Sequence, residues 1–252
     1  MAGSFTDEGI VLRRVNYAEA DRVLTVLTRE HGKVGVIVRG VRRAGSRMAA
    51  QTDLFERSRM QLAEGRGELL VLAQAQRASG PPPGLTGDPR RSACAAVIAE
   101  LTDRVLEGHH PDPEVYALVA GSLDELGDPG RDPRRALVWF GRQMIDRLGY
   151  APQLERCASC SRPLAEAAAV FSAPGGGLLC PDCRPGDPSA IACSVRAIKV
   201  LRVAAAGDAA TWDRLRLDPE TLSTLEAIIE RELEHHLDRR LRSWEVLRAL
   251  ER

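Results

Sequence analysis

Cys157-Ala-Ser-Cys160 and Cys180-Pro-Asp-Cys183 set four thiols in two C-x2-C knuckles separated by nineteen residues. A short turn of this kind presents two thiolates together, and two such turns supply the four ligands of a tetrahedral zinc site. Four thiolates leave no open coordination position, so the expected cofactor is one structural Zn2+ that holds a fold and does not activate water. Disulfides would need an oxidising compartment, which nothing in the sequence indicates. A thioredoxin-like redox motif would need a βαβ setting that neither knuckle has. Cys94 and Cys193 lie outside the spacing and read as small buried residues of helical regions.

Something must hold the knuckles together. Between them, AVFSAPGGGLLC reads as a short hairpin with a glycine turn that returns the second knuckle towards the first, within a non-helical insert at about 152–186. Around the insert the grammar is helical. Asp88-Pro89, Asp112-Pro113, Asp132-Pro133 and Asp218-Pro219 each offer an N-cap carboxylate before a proline at the first helical position. The stretches that follow repeat apolar residues every three or four positions, as helices with one buried face do.

The first eighty residues differ. GIVLRRV, RVLTVLT, KVGVIVRGV, a run around LFERSRMQL and ELLVLAQAQ are short, rich in Val, Leu and Ile, and partly alternating. Five such strands in so short a span predict a small β-barrel. SGPPPGLTG at 79–87 then breaks the chain, because proline neither donates to a ladder nor continues a helix. The expected fold is therefore α+β and multidomain. Residues 1–80 form a five-stranded barrel of the oligonucleotide-binding (OB) type, and 81–252 form a helical bundle carrying the four-cysteine insert.

The formal net charge is +0, from 35 Lys+Arg and 35 Asp+Glu. Residues 1–80 hold thirteen basic and nine acidic side chains, so the barrel is positive and the remainder negative by the same amount. The excess is concentrated in RGVRRAGSR, where Arg39, Arg42, Arg43 and Arg47 follow the third strand with no acid among them. Glycines at 40 and 45 let backbone approach a ligand closely. Barrels of this type track phosphate backbones with a basic groove. Aromatic residues are few here (Phe5, Tyr17 and Phe55), so the contacts should be mainly to phosphate and indifferent to sequence.

Several chemistries lack their motifs. Gly32-Lys33 is followed by Val34 without the upstream glycine of a P-loop, and neither G-x-S-x-G nor H-E-x-x-H occurs. His235-His236 lies in a charged helical run and reads as solvated or salt-paired. No nucleophile is nominated, and no enzymatic activity is expected. No window reaches the length of an apolar membrane span and MAGSFTDEGI lacks signal-peptide character, so a soluble cytoplasmic protein is expected.

The order of a basic barrel, a helical domain and a four-cysteine insert resembles the RecO family of bacterial recombination mediators. The stretches that carry the likeness are EGIVLRRVNYAEADRVLTVLTREHGKVGVIVRGVRRAGSR at 8–47, LGYAPQLERCASC at 148–160, GGLLCPDC at 176–183 and HHLDRRLRSWEVL at 235–247. The resemblance implies binding of single- and double-stranded DNA, annealing of complementary strands without ATP, and recombinase loading in DNA repair. It further implies two protein partners, RecR and the single-strand-binding protein, whose acidic C-terminal tail should dock on the helical domain. On this chain it implies zinc ligation by Cys157, Cys160, Cys180 and Cys183 and DNA contact by Arg39, Arg42, Arg43 and Arg47, with Lys33 added from the turn before the third strand. It places the protein at the nucleoid when acting. The alternative is a zinc-ribbon module for RNA or the transcription machinery, which would prefer RNA and would not anneal strands.

Overall fold

A computed structural model describes residues 3–65, 67–79, 85, 87–164, 168–237 and 240–250. Most of the proline-rich break at 79–87 lies outside them. The chain folds as two compact units, one of residues 1–133 with 241–252 and one of 134–240.

Five strands open the first unit: β1 (Ser4–Tyr17), β2 (Asp21–Thr28), β3 (Gly32–Val38), β4 (Arg57–Ala63) and β5 (Leu70–Ser79). They close into a barrel in the order β1-β2-β3-β5-β4. The closing pair is parallel, through Val36↔Leu70 and Ile37↔Val71. Alternate residues fill the interior, with Leu24, Val26, Val34, Val36, Val38, Met60, Leu62 and Leu72 buried together. A period of two puts these residues on one face of each strand, so the barrel is the arrangement that hides all of them from water.

Two strands differ from the sequence reading. β1 is about twice the expected length, because a register shift between Val11 and Arg13 lets it pair with β4 over its first half and with β2 over its second. The run around LFERSRMQL becomes a strand only from Arg57. Phe55 is left-handed (φ 65°), with its N–H on Val11 O (2.9 Å), and this turn ends the extended backbone.

Three helices complete the unit: α1 (Pro89–Val105), α2 (Pro113–Leu126) and, returning from the far end of the chain, α7 (Arg242–Ala249). Asp88 accepts from the N–H groups of Arg90 and Arg91, and Asp112 from those of Glu114 and Val115, as the Asp-Pro signals require. α1 packs on β1, α2 and α7. The change from strands to helices near residue 80 is thus not where the packing divides, because the Ala, Val and Ile face of α1 is buried here.

The second unit holds α3 (Arg134–Arg147), a three-stranded sheet of β6 (Ala169–Ser172), β7 (Gly177–Leu179) and β8 (Ile191–Cys193), then α4 (Val195–Ala205), the short α5 (Ala209–Arg214) and α6 (Pro219–Leu237). The sheet order is β7-β6-β8. β6 and β7 are the expected hairpin; β8 is an addition, and it places Cys193 in a strand and not in a helix. Cys94 is buried in α1 as expected. α3 begins at Arg134, one residue beyond Pro133, while α6 begins at Pro219 with Asp218 accepting from the Thr221 N–H at 2.8 Å.

α3 and α6 form the main helix pair of this unit, and Gly141 sets their approach. A Cβ at Gly141 would lie 2.3 Å from Ile229 Cγ2. Gly141→Ala improves helix propensity yet should lower stability by about 1–3 kcal/mol through overpacking, measurable in a urea titration. Beside this contact the fully buried Arg142 reaches Glu232 (2.9 and 3.1 Å) and Asp146 (2.6 Å). Burial pushes the Glu232 carboxyl up to about 7 against the pull of Arg142. His236, at the end of α6, is not simply solvated: its ring stacks on Tyr150 at 4.0 Å, because the glycine turn at 149 brings the tyrosine back across the helix end.

No helix among the described residues is long and apolar enough to cross a membrane.

Candidate metal centre and nucleic-acid interface

The four cysteines of the insert converge. One Sγ atom from each of Cys157, Cys160, Cys180 and Cys183 lies within 4.8 Å of every other. Cys160 Sγ and Cys180 Sγ are 3.8 Å apart, close to the roughly 3.8 Å edge of a tetrahedron with metal–sulfur bonds of about 2.3 Å. The donor set and spacing therefore fit a thiolate-bound metal ion.

Backbone hydrogen bonds bring the knuckles together. Cys157 N–H donates to Arg162 O and Ser161 N–H to Cys157 O, each at 2.8 Å, closing the first turn. Cys183 N–H donates to Cys180 O at 3.0 Å, closing the second. The link between them is the strand-like approach of Gln153 to the hairpin, through Gln153 N–H to Gly176 O (2.8 Å) and Leu178 N–H to Gln153 O (2.9 Å). Gly177 is required there: its φ is 148°, and a Cβ would lie 2.2 Å from Gln153 O. Arg162 and Asp182 add an ion pair between the knuckles at 2.7 Å.

Cys157 and Cys180 are buried with Val170 and Leu179, Cys183 is half-buried and Cys160 is exposed. Burial opposes charge on Cys157, but the backbone N–H groups of Cys160, Cys180 and Ser159 outweigh it and hold the thiol down to about 6. One of these bonds is direct, from Cys180 N–H to Cys157 Sγ at 3.4 Å. Donors aimed at a sulfur in this way also orient it towards a metal. Cys193, by contrast, is pushed up to about 11 by burial, as suits an inert core thiol.

The arginine stretch leaves the barrel at the end of β3 and stays attached to it. Val41 is buried among the barrel residues and anchors the loop. Gly40 (φ 65°) turns the chain, its N–H donating to Asp21 Oδ1 at 2.7 Å, and Arg42 N–H donates to Ala20 O at 2.9 Å. Tight turns follow, from Arg43 N–H to Gly40 O and from Ser46 N–H to Arg43 O, both 3.1 Å. Anchoring alternates with display: Arg39, Arg42, Arg43 and Arg47 are all exposed.

Charge pairing separates these arginines from others in the barrel. Arg13 pairs with Asp103, Arg14 with Asp53, Arg57 with Glu8 and Asp124, and Arg77 with Glu56. Among the described residues no carboxylate pairs with Arg39, Arg42, Arg43 or Arg47. Asp21 caps the Gly40 turn and leaves their charge intact. Arg42 does spend one guanidinium N–H, on Ala18 O at 3.2 Å, but that partner is neutral.

Lys33 stands apart. Its ammonium is 3.2 Å from Asp103 Oδ1, also donates to Asp103 O, and is largely buried against α1. The resemblance added it from the turn entering the third strand; the structure places it within β3. Its partner, seventy residues further on, is brought to it by folding alone. A second feature beyond the sequence reading is Tyr17, one of the few aromatics of the barrel, which is 56% exposed at the end of β1.

Comparison with known proteins gives a consistent result. Residues 1–80 match the family model described as Recombination protein O N terminal, and residues 86–245 match the one described as Recombination protein O C terminal. The chain is 34% identical over 244 residues to the DNA repair protein RecO of Roseiflexus sp. (strain RS-1), covering 95% of this chain and 83% of that protein. It is 35% identical over 245 residues to the DNA repair protein RecO of Moorella thermoacetica, covering 96% and 90%. The protein of the same name from Anaeromyxobacter sp. (strain K) is 36% identical over 235 residues, covering 92% and 91%.

Proposed function

The chain belongs to the RecO family of DNA repair proteins, and from that premise we propose that it is an ATP-independent mediator that binds single- and double-stranded DNA and anneals complementary strands. With RecR and the single-strand-binding protein it promotes recombinase loading, acting in the cytoplasm at the nucleoid. Residues 1–80 are its DNA-binding domain. Residues 81–252 supply its helices, shared between the barrel's compact unit and the unit that carries the proposed zinc insert at about 152–186.

One observation carries this reading: four exposed arginines without carboxylate partners among the described residues, on one loop fixed to the barrel rim. Annealing forms no covalent bond and needs no nucleophile. It needs two polyanions held by their backbones, their mutual repulsion screened and their base edges left free. Arg39, Arg42, Arg43 and Arg47 supply fixed positive charge for that screening. Guanidinium groups suit the task because each presents a planar fork to a phosphate and stays charged throughout the physiological range. The metal, when bound by Cys157, Cys160, Cys180 and Cys183, supplies a cross-link between two turns and no reactive water.

The test is annealing of complementary oligonucleotides coated with the cognate single-strand-binding protein, without ATP. Rapid duplex formation is the expected result. No annealing, with preference for RNA over DNA, would overturn it in favour of a zinc-ribbon module for RNA.

A further inference from the structure

The far end of β1 is built unlike the rest of the barrel. Beyond Ile10 it has no β4 partner, and residues 13–17 pair only with β2, through Arg13↔Thr25 to Tyr17↔Asp21. From Arg13 onward β1 is thus an edge strand held by β2 alone, and all five of these residues are exposed. Val15 and Tyr17 share one face of the strand, at 49% and 56% exposure. An exposed aromatic ring beside an exposed aliphatic side chain is costly in water and invites a partner.

The chemistry of that partner is set by what borders the hairpin. Arg42 ties the basic loop to the tip, its N–H on Ala20 O (2.9 Å) and its guanidinium on Ala18 O (3.2 Å), on either side of Glu19. Arg22 lies opposite Asn16 on one side and Val38, the root of the loop, on the other, and its Nε has no protein hydrogen-bond partner. Segments 13–22 and 39–47 together hold seven arginines against two acids; Arg13 and Arg14 pair with Asp103 and Asp53 from outside these segments, which leaves Arg22 and the four loop arginines to make the surface basic. Of the two acids within the segments, Asp21 is turned onto the Gly40 N–H and Glu19 is exposed at the tip. A ring set in a cationic surface matches a ligand that carries flat apolar faces on a polyanionic backbone.

We infer that Tyr17 is a stacking residue that takes an unpaired base of single-stranded DNA whose phosphates lie on the arginine loop. The inference rests on the proposed DNA binding and deepens it by naming a contact that a single strand can make and a duplex cannot. Phosphate contacts do not distinguish the two forms, whereas a free base face is offered by a single strand and hidden inside a duplex. Val15, two residues back on the same face, extends the apolar surface on which the base rests.

The experiment compares the native chain with Tyr17→Ala and Tyr17→Trp on a single-stranded oligonucleotide containing 2-aminopurine and on a closed-end duplex. Tyr17→Ala should bind the single strand about 5- to 150-fold more weakly, the range for losing one stacked base, and should bind the duplex as the native chain does. Tyr17→Trp should keep single-strand affinity and show indole quenching on binding. Equal losses on both ligands, or none on either, would overturn the stacking role while leaving DNA binding by the loop intact. A native chain that bound neither ligand would instead overturn the reading on which the inference rests.

Discussion

Replacing Arg39, Arg42, Arg43 and Arg47 together by alanine should flatten the salt dependence of single-stranded DNA binding by about 3 in log–log slope. Each neutralised phosphate of a single strand contributes roughly 0.7 to that slope, so four contacts account for about a fifty-fold loss of affinity between 50 and 200 mM salt. The variant should lack this component, bind weakly even at low salt, and anneal slowly. Its stability should change little, since all four side chains are exposed and Val41, which anchors the loop, is untouched. Lys33→Ala is the matched control. It removes one positive charge from the same barrel, but from an ion pair with Asp103, so it should lower thermal stability and leave the slope unchanged. An unchanged slope in the four-arginine variant would move the DNA path elsewhere on the barrel.

Stripping the metal is expected to have the larger effect on folding. The purified chain should carry one zinc ion, measured by plasma mass spectrometry, and lose it to a strong chelator with unfolding of the insert. Apparent binding energies of four-ligand structural zinc sites are on the order of 10–16 kcal/mol, and most of that becomes folding energy where little else orders the segment. Around the knuckles little else does: among the described residues the cluster that holds the cysteines adds Val170 and Leu179 as buried apolar residues, with Ala158, Leu164 and Ala190 partly buried, while the β6–β7–β8 sheet beside it keeps its own buried Phe171 and Leu178. Cys157→Ser should reproduce the loss without chelator, because it removes the buried ligand towards which the Cys180 N–H points. The arginine loop belongs to the other compact unit, so the salt slope of DNA binding should survive zinc removal. A chain that purifies without metal and melts identically with and without chelator would refute the zinc assignment.

The sequence disclosed features whose cause lies within a few residues. C-x2-C fixes a turn with two thiols, Asp-Pro caps α1, α2 and α6, and the period of two marks the strand residues that fill the barrel. The candidate metal ligands and the basic loop are therefore legible in local spacing and composition, and so is the family resemblance. Pairing and exposure are not, because they depend on residues far apart in the chain that only the tertiary fold brings together. Lys33 looks like Arg39 in the sequence, yet Asp103 on α1 neutralises one, and among the described residues no carboxylate reaches the other. In the sequence Tyr17 is one of three aromatics in residues 1–80 and lies just beyond the first strand run, GIVLRRV. The register shift after Val11 and the end of the β4 pairing at Ile10 extend β1 as an edge strand and leave Tyr17 exposed. Helix signals near 89 and 113 say nothing of whether those helices pack on the barrel or on the four-cysteine insert, since amphipathicity requires a partner surface without specifying which one. Local spacing thus determined which groups could act. Folding decided which of their charges and rings were left for a ligand.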